Sequence, residues 1–369
     1  MKILYFTRGQ SPHDLRFLKA LAGTNHQVAV LSLEEHGILN WPKGIHVLQW
    51  PEEIQILKSP SIEQLVNGFK KIISEYQPDI VHAGPIQRVA YIAALAHASP
   101  LLTMSWGSDI LLEVDQHTTW PSITRYTLKH SHWFAADCQT VVEKARSFGY
   151  QGDVSVFPWG VDLEHFRPSR AGELRERLGW KDQFVFLSNR TMEPLYGMDI
   201  VAKAFVSAFE KNDYIRLLLF GKGSQEPEIR EILSSAEKEG KVYFGEFAGL
   251  DELPTIYNSA DVYLSASHSD GSSVSLMEAL ACGKPVLVSD IPSNREWIQP
   301  GDVGWWFEDG NVDDLAEKML QCVVRENLEE VSSRARKLAE DRADWTKNFA
   351  ILLDTYQKIF EGYSSQNKK

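Results

Sequence analysis

Short runs rich in β-branched and aromatic residues alternate with longer segments of helical periodicity along almost the whole chain, the pattern of a parallel α/β sheet. A first series predicts strands at 3–7, 27–33, 45–49, 79–83, 101–105, 133–136 and 154–157. Between them, Ile62, Leu65, Phe69, Ile72 and Ile73 recur at steps that put them on one helix face. A second series follows a polar helical stretch at 171–179, with strands expected at 184–189, 215–220, 242–245, 262–265 and 285–289. Strand density drops over 166–183, where Arg167-Pro168-Ser169-Arg170 is polar and holds a proline, so a linker is expected there. The halves are then residues 1–165 and 170–345. Beyond Asp313 the chain turns helical, and Phe349, Leu352, Leu353, Tyr356 and Ile359 form one apolar face that must pack on something already built. The fold class is α/β, two doubly wound Rossmann-like halves. Such sheets bind ligands outside the carboxyl ends of their strands, which places a cleft there.

Composition narrows the partners. The 369 residues include 38 Lys and Arg against 50 Asp and Glu, a net charge of -12, which opposes polyanions and argues against nucleic acid. At roughly 150 residues per domain the length fits two domains. Cys138, Cys282 and Cys322 are an odd set without C-x-x-C spacing, so neither a disulfide framework nor a zinc knuckle is indicated, and a cytoplasmic location is expected. Residues 1–7 read as a strand rather than a signal peptide, and no apolar run approaches the roughly 20 residues of a membrane span.

The segment richest in candidate chemistry is 269–290, SDGSSVSLMEALACGKPVLVSD. A loop of small residues around Gly271 leads from a predicted strand into a helix, exposing unpaired N–H groups at the positive end of the helix dipole, a cradle for phosphate. Asp270 and Glu278 flank that helix start. Glu278 has two readings: a ligand for a bound hydroxyl, or the last member of a capping box opened by Ser275. Asp270-Gly271 is equally an ordinary turn.

Asp270, Gly271, Glu278, Ala279, Ala281, Gly283, Pro285, Val286 and Asp290 together resemble the E-x7-E region of the retaining GT-B glycosyltransferases of family 4, the group 1 glycosyltransferases. Phe157-Pro158-Trp159-Gly160-Val161-Asp162, Phe166-Arg167-Pro168, Ser188-Asn189-Arg190 and Gly197-Met198-Asp199 extend the resemblance over nearly the whole chain. It implies a GT-B fold with two Rossmann-like domains facing a central cleft. The first half would hold the acceptor and the second the nucleotide-sugar donor, with a terminal helix, 346–363, folding back on the first. The implied reaction moves a hexosyl group from a nucleotide sugar, UDP-glucose or another UDP-hexose, to a saccharide or lipid-linked hydroxyl with retention. No cofactor or metal is expected. Peripheral contact with the inner face of a membrane stays open.

The resemblance also assigns residues. Asp270 contacts the donor sugar, in place of the usual Glu, and Glu278 holds the ribose. Arg190 neutralises the diphosphate, while Tyr196 stands where relatives carry a second cation. The donor set is completed by Lys222, Phe247, Gly271, Ser272, Ser273, Val274 and Ser275. Lys222 has the alternative of a solvated turn residue.

On the acceptor side the candidates are Gly9, Gln10, Asp14, His82 and Trp106. Asp14 is either a site residue or a helix cap, and His82 either faces the ligand or is a core imidazole. Trp106 takes the place of a His in relatives and offers an apolar face to a sugar ring. Asp109 is grouped with Asp270 and Arg190 as catalytic, with a buried cap as its alternative. Two rival functions share the architecture: a nucleotide-sugar 2-epimerase and a catalytically silent sugar-nucleotide-binding subunit.

Overall fold

The computed structural model describes residues 1–34, 40–170, 172–246, 248–324 and 326–366. Two compact units make up the chain: Met1–Phe157 with the chain from Ala350 onward, and Pro158–Phe349. Each is built on one all-parallel sheet, whose strands are near-continuous apolar runs because helices cover both faces.

In the first unit the strands are β1 (Lys2–Thr7), β2 (Gln27–Ser32), β3 (His46–Val47), β4 (Ile80–Gly84), β5 (Leu101–Met104), β6 (Trp133–Ala136) and β7 (Asp153–Val156), ordered β3-β2-β1-β4-β5-β6-β7. The strand order reverses between β1 and β4, which pair from Ile3↔Ile80 to Thr7↔Gly84. That switch point is where open α/β sheets hold ligands. Helix Ile62–Tyr76 buries Val66, Phe69 and Ile72 against this sheet's core and is closed at its start by a Ser61–Gln64 capping box.

The second unit contains β8 (Phe184–Ser188), β9 (Ile215–Phe220), β10 (Val242–Gly245), β11 (Val262–Ser265), β12 (Val286–Ser289) and β13 (Gly304–Phe307), ordered β10-β9-β8-β11-β12-β13. Its switch point lies between β8 and β11, paired at Val262↔Phe186 and Tyr263↔Leu187.

Three expectations change. The edge strand β13 is additional to those expected; its Gly304-Trp305-Trp306-Phe307 lacks a β-branched residue. The expected strand at 45–49 shortens to His46–Val47, both exposed at the sheet edge. The boundary falls at Phe157/Pro158 rather than after residue 165, because Val161 and Phe166 are buried in the second unit's core and Val161 pairs with Asp344. The last helix runs Trp345–Gln366, and its residues from Ala350 belong to the first unit. There the Tyr356 hydroxyl lies 2.6 Å from His82 Nδ1, and Thr355 Oγ1 lies 2.6 Å from Ser155 Oγ.

Candidate active site

The loops that leave β8, β9 and β11 converge at the switch point of the second sheet. Glycines permit the approach. A Cβ on Gly197 would lie 2.3 Å from the Ala266 carbonyl oxygen, and one on Gly221 2.5 Å from that of Arg190. Gly197 also adopts φ 57°, the left-handed region that favours glycine.

Arg190, just beyond β8, is the centre of the cluster. Its Nη2 donates to Asp270 Oδ2 at 2.7 Å, and its Nη1 donates to Ser273 Oγ at 2.7 Å and Ser275 Oγ at 2.9 Å. The guanidinium carbon stands 4.3 Å from the centroid of the Tyr196 ring, a cation–π arrangement. Tyr196 therefore acts on Arg190 through its ring face. Tyr263 on β11 donates its hydroxyl to Ser275 Oγ at 2.7 Å.

Helix Val274–Ala281 begins two residues earlier than the capping-box reading requires. Its N-cap is Ser273, with no side-chain cap hydrogen bond, and Ser275 lies inside the first turn. The Ser275–Glu278 capping box is thus absent. Glu278, 8% exposed, instead accepts from the Tyr257 hydroxyl at 2.7 Å, and Tyr257 in turn accepts from Asn189 Nδ2 at 2.8 Å. Burial, reinforced by the Glu278 charge, raises the Tyr257 phenol well above its usual range, so it remains a donor. Ser272 is buried and accepts from Trp297 Nε1 at 3.0 Å, while Gly271 N donates to Asp270 Oδ1.

Of the donor-side candidates, Arg190, Tyr196, Asp270, Gly271, Ser272, Ser273, Val274, Ser275 and Glu278 thus fall on this one cluster. Lys222 is exposed on the loop after β9, its carbonyl accepting from Met192 N. Phe247 lies outside the described residues. Tyr257, Tyr263, Asn189 and Trp297 are additions. Asn189 adjoins Arg190 in the segment already singled out, whereas the other three are core aromatics by pattern.

The first unit distributes its candidates differently. Asp14 forms a capping box with Ser11 at helix Pro12–Ala22 and accepts from Tyr5 Oη at 3.1 Å, so the cap reading holds. His82 is a core imidazole, 2% exposed, packed against Tyr5 and Tyr356, and burial lowers its pKa to about 3.

Asp109 is 1% exposed. Oδ1 accepts from Ser105 Oγ, Trp106 N and Ile110 N, and Oδ2 from Ile86 N. It ties the loops after β4 and β5 together from inside helix Ser108–Leu111, whose N-cap is Gly107, so it is buried but is not that helix's cap, and burial raises its pKa to about 6. Trp106 stacks on His13, ring centroids 5.7 Å apart. Gly9 is partly exposed after β1, and Gln10 Nε2 donates to Asn40 O at 3.0 Å. Among the described residues no group of three or more His, Cys, Asp and Glu side chains is arranged to hold a metal ion, and no helix is long and apolar enough to cross a membrane.

Two doubly wound units, one with a guanidinium, hydroxyl and carboxylate cluster at its switch point, define the GT-B class. The structure aligns with Anabaena HepE in complex with UDP at TM-score 0.78 and 18% identity, covering 97% of this chain and 100% of that one. The chain belongs to the group 1 glycosyltransferases: the profile described as "Glycosyl transferases group 1" matches residues 171–340, and that described as "Glycosyl transferase 4-like" matches 2–138. It is 25% identical to the D-inositol 3-phosphate glycosyltransferase of Saccharomonospora viridis over 55% of this chain, spanning only 50% of that relative's length. It is also 25% identical to a GDP-mannose-dependent alpha-(1-6)-phosphatidylinositol monomannoside mannosyltransferase of Mycobacterium tuberculosis, over 77% of each chain.

Proposed function

We propose that the protein transfers a hexosyl group from a nucleotide sugar, UDP-glucose or another UDP-hexose, to a hydroxyl of a saccharide or lipid-linked acceptor, with retention and without a metal ion. The observation that carries this reading is the placement of Arg190, Ser273, Ser275 and Asp270 in one hydrogen-bonded group at a switch point, beside the Glu278–Tyr257 pair. A guanidinium beside a helix N-terminus suits a diphosphate leaving group. Glu278 suits the two hydroxyls of a ribose. The HepE complexes with UDP and UDP-glucose support a uridine nucleotide, while the mannosyltransferase supports a guanosine one.

In the reaction the bond from the anomeric carbon to the diphosphate oxygen breaks, and the acceptor oxygen bonds that carbon on the same face. The acceptor's proton passes to the departing phosphate, so no protein nucleophile is required. Arg190 stabilises the charge developing on the diphosphate. Asp270, exchanged from Arg190 by the incoming phosphate, accepts a hydrogen bond from the sugar.

The test is incubation with UDP-glucose, with and without saccharide and lipid-linked acceptors, reading free UDP and the sugar released. Acceptor-dependent UDP release with an α-linked product is expected. UDP binding without turnover would overturn the reading in favour of a silent binder, and interconversion of the sugar would favour an epimerase. Arg190→Ala and Glu278→Ala should each weaken UDP binding about tenfold or more, the scale of a lost charge-assisted hydrogen bond. Unchanged affinity in a folded Glu278→Ala protein would remove the ribose role.

A further inference from the structure

A cavity of about 1200 Å³ opens within the first unit and lies outside everything assigned above. Its walls come from residues 33–34, 50–65, 87–92 and 118–126, segments that follow β2, β3, β4 and β5 in turn. It therefore belongs to the ligand-binding edge of this sheet. None of Gly9, Gln10, Asp14, His82 and Trp106 lines it.

Its interior is apolar and aromatic: Trp50, Ile54, Leu65, Tyr91, Ile92 and Tyr126 face it. Trp50 already spends its indole N–H on Ser32 O at 2.7 Å, so it offers the cavity an apolar surface. The lip is apolar too. Ile62 lines the cavity at 47% exposed, and Ile56, between lining residues Gln55 and Leu57, is 81% exposed. Exposed aliphatics of that size on a cavity rim cost solvation unless a ligand covers them.

The charges are the second observation. Among the described residues, Lys58 and Arg88 line the cavity against one carboxylate, Glu34, a positive balance in a chain of net charge -12. Glu34 Oε1 is shared, at 3.0 Å from Arg88 Nη1 and 3.2 Å from Arg8 Nε. One carboxylate between two guanidiniums, in a cavity whose lining also carries Lys58, leaves positive charge for an anionic group. The wall also includes Thr118, Thr119 and Ser122, at the start of helix Trp120–Lys129, where Thr119 makes no side-chain cap hydrogen bond.

We infer that this cavity binds a single-chain amphiphile with a phosphate head, its hydrocarbon chain among Trp50, Tyr91, Ile92 and Leu65 and its head at Arg88 and Lys58. A neutral lipid would leave the cations unused, and free phosphate would leave the apolar interior empty. The site is a binding site in its own right, and its test reads binding rather than sugar transfer.

The probes are dodecyl phosphate and octyl phosphate, both below their micelle concentrations, with dodecanol and inorganic phosphate, each titrated calorimetrically into the full chain. Dodecyl phosphate should bind one to one, and octyl phosphate on the order of a hundredfold more weakly for its four missing methylenes. Dodecanol should be weaker by about tenfold or more for the lost head, and inorganic phosphate, without any chain, should be weaker than octyl phosphate.

Arg88→Ala, at an exposed position, should cost about tenfold, and Ile123→Trp, which narrows the cavity, should cost at least as much. UDP affinity measured on the same samples should not change, which separates failure of this proposal from failure of the transferase reading. Equal affinity for dodecanol and dodecyl phosphate would overturn head recognition. Equal affinity for inorganic phosphate would reduce the site to an anion site. Unaltered binding in both variants would place the ligand elsewhere.

Discussion

Arg190 donates to one carboxylate and two serine hydroxyls, and Tyr196 supplies the surface beneath it. A face contact between a guanidinium and a phenol ring is worth roughly 1 kcal/mol. Tyr196→Ala should therefore weaken UDP binding about fivefold, while Tyr196→Phe, which keeps the ring and loses only the hydroxyl, should leave it unchanged. Equal losses in the two variants, measured by calorimetric titration, would transfer the role to the hydroxyl.

The first unit holds two buried groups whose titrations oppose each other. His82, held near pKa 3 against 6.5 when unfolded, refuses a proton that the unfolded chain accepts, so its stabilisation is present above pH 6.5 and is lost as pH falls. Asp109, raised from 3.8 to about 6, keeps a proton that the unfolded chain releases, so its effect strengthens as pH falls from 6 to 3.8. Between pH 6 and 4 the two nearly cancel. Replacing the imidazole by a non-titrating group of similar hydrogen-bonding shape exposes the second effect. A His82→Asn protein should gain stability relative to the parent by about 1.4 kcal/mol per pH unit as pH falls from 6 to 4. Urea unfolding at each pH measures it, and a difference independent of pH would show that His82 does not titrate in this way.

At the scale of elements, the site depends on loops brought close by glycine. Gly197 precedes helix Met198–Phe209 at φ 57°, and its absent Cβ is what lets the backbone reach Ala266 in the loop leading to Asp270. Gly197→Ala imposes left-handed backbone on a residue with a side chain and a clash with a carbonyl that has no flexible end to yield. About 1–3 kcal/mol of stability should be lost in urea unfolding. UDP affinity should fall in the same protein, because Tyr196 and Asp270 sit on the two displaced segments. A variant as stable as the parent would mean that the loops can separate freely.

The same elements show what the sequence made legible. Runs such as Ile215–Phe220 are apolar throughout, so β9 and its neighbours could be read from composition alone. Asp270 and Glu278 stood out because both lie close to one helix start. Their partners did not. Arg190 meets Asp270 across 80 positions, and Tyr257 reaches Glu278 from a separate short helix, where its pattern is that of any core aromatic. Ser275 and Glu278 have the spacing of a capping box, yet the helix starts at Val274, because Ser275's hydroxyl is engaged by Arg190 and Tyr263.

For the whole molecule, the consequence lies in how the chain divides. The segment from Ala350 is made after the second unit and belongs to the first, where Leu352, Tyr356 and Ile359 are buried. Tyr356 is also the hydrogen-bond partner of His82, and Thr355 that of Ser155 on β7. The core of the first unit is thus completed only after the second unit has been made. Ending the chain after Phe349 removes three buried apolar side chains and leaves both polar partners without their contacts. Each fully buried side chain of this size contributes about 1.5–3 kcal/mol, so the loss approaches the whole stability of a typical domain.

The donor cluster lies wholly within Pro158–Phe349. In the shortened protein, scanning calorimetry should therefore show loss or strong lowering of one unfolding transition. A second transition should still rise with added UDP, as ligand linkage requires. Retention of both transitions would mean that the terminal helix is dispensable to the first unit. Loss of the UDP-responsive transition would mean that the second unit cannot hold the nucleotide without the first.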